Sequence, residues 1–575
     1  MTHFNRQKCE FLRQQAKQKF EQVRSTWIEC GRWAAPHRTK WLLSQTPGER
    51  NNYHVVDPTH IIALRSYVAG FLEGNTSASR PWYRIQGQDP DVTAVPENYA
   101  WLHKFTRRTL ACLASSNYYH AAGQIYYDYG TFNTAAHFID EIDGHLFFHT
   151  LTPGSYFVIN DGFGVAAKLV REFSLNVSAL VSAYGAKRDG KADWSNFSTG
   201  VRKMYEDGNY AQTVDVAQVV EENEAFDPRK PIGGENRKWV SKTYEVGSAH
   251  GQYNSGESLF GSGAHSLDPR DADRYLKISF SKRKPFVVTK SEMSNNFEYG
   301  EKGPTLDALG LIKSLNKKAI GKDRALEQML APAIQGPANL RKSYVTTAPN
   351  SYVPLDAHSL SQKGLRQIFE VNPAVATLNA DIGDLRQQVD KLYYADYLLY
   401  LSRNPKTRTA TETNAIVQEQ QLIIGPNLQS LNWTYNVPVV EFVMDFVLDE
   451  DPYLEPPPES LAGQFLRAEF VSVFAQAQKA ADLPSIERYI AGMMNVAQLD
   501  PRAMDKVNLD KLADLYEDRL YLPSGLNNPQ AKVDAMREQA QAQAQRQQML
   551  EQTLPAMAGA AKDVGLTMQP KGEQK

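Results

Sequence analysis

A chain of 575 residues is too long for one hydrophobic core and should divide into several packed units. Hydrophobic residues at 42% and charged residues at 22% read as a folded protein, and a formal net charge of −2 excludes a globally basic nucleic-acid binder. Any contact with DNA must then be local. The three cysteines, Cys9, Cys30 and Cys112, have no metal-ligand spacing and an odd count, which points to assembly in a reducing compartment.

The opening segment, MTHFNRQKCEFLRQQAKQKF, is too charged for a signal peptide. No run of about eighteen apolar residues occurs, so no membrane span is expected. The chain carries 28 Tyr, 24 Phe and 8 Trp, a content that suits a subunit with much contact area.

In chain order, the first forty residues predict an amphipathic helix. Leu12, Ala16, Phe20, Val23, Trp27 and Cys30 recur at spacings of three and four and so share one face. A second helix is expected over 57–74, with Asp57 as cap, Pro58 at the first helical position and Gly74 as stop. SASRPWYRI breaks helix at Pro81, and residues 97–130 give a further helical run. From about 137 to 290 the pattern changes to short alternating segments divided by Gly, Asp and Pro, which predict strands and hairpins with a helix near 174–184. GSAHGQYNSGESLFGSGAHS, at 247–266, reads as a long flexible loop.

Residues 304–330 predict a helix that begins with Pro304 and ends before Pro332. Residues 332–376 are strand-like and Pro-punctuated, and include Tyr344 and Tyr352. A second long helix is expected over 377–401, where Leu378, Ile382, Leu385, Val389, Leu392 and Leu399 recur at heptad spacing with Asp396 out of place. Two helices of about 35–40 Å bracketing a small mixed domain would make a pillar with a foot. A polar, basic gap follows at 402–411, carrying Arg403, Lys406 and Arg408. The helix expected over 412–448 has candidate interruptions at Gly425-Pro426 and at Pro438. After the linker DEDPYLEPPPES a mostly helical domain is expected at about 460–522, and then a Gln/Ala-rich helix poor in large apolar residues.

Catalytic signatures are weak. GAKRDGKAD (185–193) aligns Gly185, Gly190 and Lys191 with a phosphate-binding loop, but Ala192 stands where that loop needs Ser or Thr to hold Mg²⁺. A solvated loop is the plainer reading. His137, His145 and His149 lie near Asp140, Glu141 and Asp143, and His145 and His149 would share a strand face, yet no closing ligand set is evident. The acidic pairs Glu221/Glu222 and Asp449/Glu450/Asp451 read as hydrated linker charges. No G-x-S-x-G elbow occurs, no cofactor is implied and no enzyme is expected.

Three stretches, DPTHIIALRSYVAGFLEGNTSASRPWYRI, YGEKGPTLDALGLIKSLNKKA and TRTATETNAIVQEQQLIIGPNLQSLNWTYNVPVVEFV, resemble the head-to-tail connector, or portal, family of short-tailed bacteriophages. So does the tail order of Pro-rich linker, helical domain and Gln-rich helix. The resemblance implies an α+β, mainly helical portal fold with wing, stem, clip, crown and C-terminal barrel helix. Its expected divisions are wing 1–303, stem helix 304–331, clip 332–376, stem helix 377–401, tunnel loop 402–411, wing helix and linker 412–454, crown 455–525 and barrel helix with tail 526–575. It implies a ring, usually a dodecamer, at one capsid vertex of the virion, assembled in the host cytoplasm. Double-stranded DNA would pass through the ring's channel during packaging and ejection.

Arg403, Lys406 and Arg408 would then line the channel, Leu378, Ile382, Leu385, Val389, Leu392 and Leu399 would pack the stem, and Tyr344 and Tyr352 would meet partners at the clip. The implied partners are further copies of the chain, the terminase motor, tail adaptor or nozzle proteins, and the major capsid and scaffolding proteins. A conduit should not hold DNA tightly, because each phosphate neutralised adds salt-dependent affinity. A mildly acidic subunit with one basic loop meets that condition. The competing readings are a terminase-type packaging ATPase, which needs the phosphate loop intact, and an internal or tail structural protein without a channel.

Overall fold

The computed structural model describes residues 6–43, 52–93, 95–185, 187–188, 191–246, 274–291, 298–331, 334–337, 352–355, 366–367, 375–395, 423–461, 463–471, 483–497, 507, 512, 516, 533 and 535–545. Among these residues helix predominates over strand, in an α+β arrangement.

Helix α1 (Arg6–Ala34) buries the whole stripe from Leu12 to Cys30 that its spacing marks. A short helix α2 (Lys40–Leu43) follows, and then α3 (Thr59–Asn75). The N-cap of α3 is Pro58, one residue after the expected Asp57, whose Oδ1 still satisfies the first turn by accepting from the Thr59 amide at 2.9 Å and from Thr59 Oγ1 at 2.5 Å. Strand β1 (Tyr83–Gly87) and the short α4 (Pro90–Thr93) come next. The run expected over 97–130 is two helices, α5 (Pro96–Ser115) and α6 (Tyr118–Phe132). Ser116 divides them: its Oγ donates to Leu113 O and accepts from the Tyr118 amide, so the backbone is satisfied outside the helical ladder. Helix α6 stops at Asn133, which takes a left-handed conformation with φ 62°.

The predicted β region is observed. It contains β2 (Thr134–Ile142), β3 (His145–Thr150), β4 (Tyr156–Asn160), β5 (Ala166–Asn176) and α7 (Val177–Tyr184), the last capped by Asn176. It continues through β6 (Lys187–Arg188), β7 (Lys191–Ala192), α8 (Thr199–Glu206), β8 (Thr213–Glu222), β9 (Trp239–Glu245), β10 (Lys277–Ser281) and β11 (Phe286–Lys290). A five-stranded antiparallel sheet has the order β10-β9-β8-β5-β4, and a three-stranded one the order β11-β2-β3. The α1 stripe packs on both: Phe20 meets Phe157 and Tyr299 edge-on, and Trp27 lies against Phe132 and Tyr156. Helices α7 and α8 seal a smaller apolar cluster with Phe197, Val214 and Leu276.

Helix α9 (Pro304–Leu330) is followed by β12 (Ile334–Pro337), β13 (Tyr352–Leu355) and β14 (Arg366–Gln367). Strand β12 pairs parallel with β13 and antiparallel with β14. Helix α10 (Val375–Leu392) is broken at Tyr393-Tyr394, where Tyr394 turns the backbone left-handed with φ 57°; Ala395 is helical again, and the rest of the stretch expected to reach 401 lies outside the described residues. Residues 423–431 are helical through Gly425-Pro426. A π-helical turn, Asn432–Asn436, then leads into α11 (Val437–Glu450). The interruption expected at Pro438 therefore takes the form of a widened turn just before it. Proline has no N–H to donate and its ring crowds the carbonyl four residues back, and the wider turn relieves both.

Within the stretch expected to be mostly helical at about 460–522, Leu466–Phe470 form a strand, β15, paired with β1. Val471 N donates to Trp82 O at 2.7 Å. Farther along, α12 (Leu483–Ala497) is helical as expected. The Gly/Ser-rich loop at 247–266 lies outside the described residues.

The chain forms two units, one of residues 1–86, 104–456 and 466–475, the other of residues 87–103, 457–465 and 476–575. In the second, Asn98 is fully buried, donates to Val92 O at 2.8 Å and accepts from Ser460 Oγ at 2.7 Å. No described helix is long and apolar enough to cross a membrane.

Candidate functional site

Helix α10, which packs on α9, carries five of the six residues expected to pack the stem. Gly303 fixes where α9 starts, since a Cβ there would sit 1.9 Å from Asn133 Oδ1. Only glycine lets the chain pass that close to the turn that ends α6. Thr305, one residue into α9, donates to Gly130 O at 2.7 Å and shares a 2.8 Å hydrogen bond with the Tyr393 hydroxyl. One buried hydroxyl thus ties together the end of α6, the start of α9 and the residue after α10.

Of the six residues expected to pack the stem, Ile382, Leu385 and Val389 are buried, and Leu378 and Leu392 are half-buried. Ile382 and Leu385 form a small apolar cluster with Leu315, flanked by Leu311 and Leu378. Leu399 lies outside the described residues. Much of the stripe is therefore used up within one subunit, where α10 faces α9 and α3.

Sequence reasoning missed the polar residues that hold this pair in place. Asn316 is buried on α9, and its Oδ1 accepts from the Val56 and Asp57 amides at 2.8 and 2.9 Å while its Nδ2 donates to Ile312 O. Arg386 on α10 reaches Asp57 Oδ2 with Nε at 3.0 Å and Nη2 at 2.8 Å. Burial pushes the Asp57 carboxyl up, but the hydrogen bonds from Thr59 and Arg386 outweigh it and hold the group below the usual carboxylate range. Lys318 pairs with Asp381 farther out, and Lys313 with Glu29 of α1. A single Asn inside a helical pattern reads as solvent-facing, so only the cap expected at Asp57 gave any sign of this network.

Beyond Asn316 no residue of α9 is buried, and Leu330 at its end is 86% exposed. The small sheet β12–β13–β14 lies between the two helices in sequence, with Tyr352 opposite Ile334 in the pairing. Tyr344 lies outside the described residues, as do Arg403, Lys406 and Arg408. The residues beyond the basic gap are well anchored. Asn427 accepts from the Tyr129 hydroxyl at 2.9 Å, Thr434 meets Thr289 at 2.8 Å, and Tyr435 is buried edge-on against Tyr126 and His137.

The residues weighed for catalysis come apart. Lys187–Arg188 and Lys191–Ala192 make a two-rung hairpin, so Lys191 precedes no helix that could cradle a phosphate. His137 is fully buried, with Nε2 3.0 Å from Thr150 Oγ1 and 3.2 Å from Ala121 O, and burial lowers its pKa to about 3. His149 instead pairs with Asp140 at 3.0 Å on a half-exposed strand face. No group of His, Cys, Asp and Glu among the described residues could hold a metal ion.

Comparison with known proteins gives a consistent result. The family model described as bacteriophage head to tail connecting protein matches residues 6–262 and 264–526. The portal protein of Salmonella phage epsilon15 is 28% identical over 559 residues, covering 96% of this chain and 95% of its own length. The probable portal protein of Bordetella phage BPP-1 is 29% identical over 529 residues, covering 91% and 89%. A chain from the virion of a native gene transfer agent particle aligns over 84% of this chain at 10% identity, with a TM-score of 0.31 that is too low to bear on the fold.

Proposed function

This chain belongs to the bacteriophage head to tail connecting protein family, and from that premise we propose that it is the repeating subunit of a ring at one capsid vertex. Double-stranded DNA enters and leaves the capsid through that ring. The near-full-length family match is the observation that carries this reading. Helix α9, about 40 Å long, supports it: its first half is locked into the subunit's core, while no residue from 317 to 330 is fully buried, as suits a stem helix. In this assignment α9 and α10 are the stem, 332–376 the clip that docks the packaging motor and then the tail adaptor, and 402–411 the loop facing DNA. The remaining partners are the capsid shell and scaffold.

The subunit acts by geometry and weak charge and not by catalysis. A packaging ATPase would need a phosphate loop that runs into a helix, and the hairpin at Lys187–Ala192 offers no such helix start. Negative-stain microscopy with native mass measurement tests the ring: a closed particle with an axial hole of DNA width is expected, and monomers or fibres overturn it. For the channel, changing Arg403, Lys406 and Arg408 together to Ser should leave ring formation intact, with stability within about 0.5 kcal/mol of wild type. Packaged DNA per particle should fall, and fall further when the same three become Glu. Wild-type packaging by the Glu variant would remove these residues from the channel.

A further inference from the structure

Three non-glycine residues among those described have a left-handed backbone: Asn133 at φ 62°, Asp143 at 49° and Tyr394 at 57°. The first two suit their places. Asn133 stops α6, and Asp143 precedes Gly144 in the turn between β2 and β3, where short polar side chains take this conformation at small cost. Tyr394 does not. A bulky side chain is strained there, because its Cβ crowds the following carbonyl.

Nothing local asks for a break at this point. DKLYYADYLLYL, residues 390–401, contains neither Gly nor Pro, and the backbone is helical again at Ala395. The break is held by tertiary contacts instead. Tyr393 is fully buried with its hydroxyl 2.8 Å from Thr305 Oγ1, and its amide still donates to Val389 O at 3.2 Å, so α10 is fixed up to this residue. The Tyr394 amide then donates to Lys391 O at 3.0 Å, three residues back instead of four. Its ring lies 6.4 Å from that of Tyr67 on α3, and Ala395 beyond it is fully buried.

A strained joint between two helical stretches, held only by side-chain packing on one side of it, is a two-state element. We propose that α10 has a second conformation in which Tyr394 takes right-handed dihedrals and the helix runs unbroken through it. The continuous form regains the helical ladder and relieves the strain. The broken form keeps the Tyr67 contact and the buried Ala395. Residues up to Tyr393 hold their place in both, because the Thr305 hydroxyl ties them to α6 and α9. The chain that leaves α10 toward the basic gap therefore has two directions from one fixed base.

The test is a distance within one full-length chain. In a Cys112→Ser background the remaining native cysteines, Cys9 and Cys30, are buried. Spin labels are placed there by Asn379→Cys, on the exposed side of α10, and by Ser402→Cys, with labelled copies diluted among unlabelled ones. A helix unbroken from 379 to 401 sets the pair about 35 Å apart, and a break between them shortens this. Tyr394→Asn and Tyr394→Gly tolerate left-handed dihedrals, so they should deplete the long distance. Tyr394→Ala and Tyr394→Leu lose the ring contact with Tyr67 and favour right-handed helix, so they should enrich it. The ratio of long to short distances should differ about tenfold between the two sets. The same distribution in both sets overturns the joint, whether the helix is broken in all of them or straight in all of them. Two variants of each kind preserve the comparison if one fails to fold.

Discussion

The two ends of helix α9 are built on opposite plans. From Pro304 to Asn316 it buries seven residues and packs on α1, α6 and α10, and the buried Thr305 and Asn316 are both hydrogen-bonded. From residue 317 to Leu330 it buries none. The first half is held by the subunit's own core. The second is at most half-buried, with Lys318 paired to Asp381 of α10. Anchoring is thus concentrated at one end of the element.

Mutations can break or sharpen that contrast. The largest effect is expected from Ile312→Ala, since Ile312 is fully buried in the anchored half. Such a deletion should cost the unassembled subunit about 2–4 kcal/mol in denaturant unfolding, whereas Leu330→Ala should be silent there. Equal losses at both positions would erase the contrast.

Next is Asn316→Ala, which strands the Val56 and Asp57 amides inside the protein. A cost of about 1–3 kcal/mol is expected, measured the same way, and a neutral result would mean water replaces the amide without penalty.

A smaller effect concerns acid. The folded-state pKa of Asp57 lies below its unfolded value, so the unfolded chain binds a proton first as pH falls. The stabilisation is complete above the usual carboxylate range and is lost as pH drops through the folded value. Asp57→Asn should therefore flatten the stability-against-pH curve below about pH 4; an unchanged acid slope would show that Arg386 contributes nothing through this group.

The smallest effect is expected from Lys318→Ser. Its pair with Asp381 is half-exposed on both sides, so the change should stay within about 0.5 kcal/mol and shrink with added salt. A larger loss would extend the anchored half beyond Asn316.

The sequence made visible what depends on local period. The α1 stripe from Leu12 to Cys30, the strands between 134 and 290 and the start of α9 at Pro304 all follow from spacing and turn chemistry. Long-range pairing was not legible. Strand β15 finds its partner nearly four hundred residues earlier, and although Leu466, Ala468 and Phe470 do alternate, nothing local says that β1 awaits them. The break at Tyr393-Tyr394 was not legible for a related reason. The apolar pattern of the sequence runs across it, while the hydrogen bond between the Tyr393 hydroxyl and Thr305 belongs to tertiary packing. The basic triplet at 403–408 stands out only by composition and family resemblance, and Asn316, which fixes the helix pair, carries no compositional signal at all.

The π-turn at Asn432–Asn436 also sets how this stretch can change over time. It inserts one residue into an otherwise continuous helix, so the segments before and after it run in different angular phase, by about 100°. Two residues apart within the turn, Trp433 faces outward while Tyr435 is sealed against His137. Losing a single residue there would restore an unbroken ladder and rotate everything upstream relative to α11. Point substitutions in the turn are local events, but a one-codon deletion is a rotation of the whole preceding helix, and lineages that lack the bulge should display a different face of residues 423–431 to their surroundings.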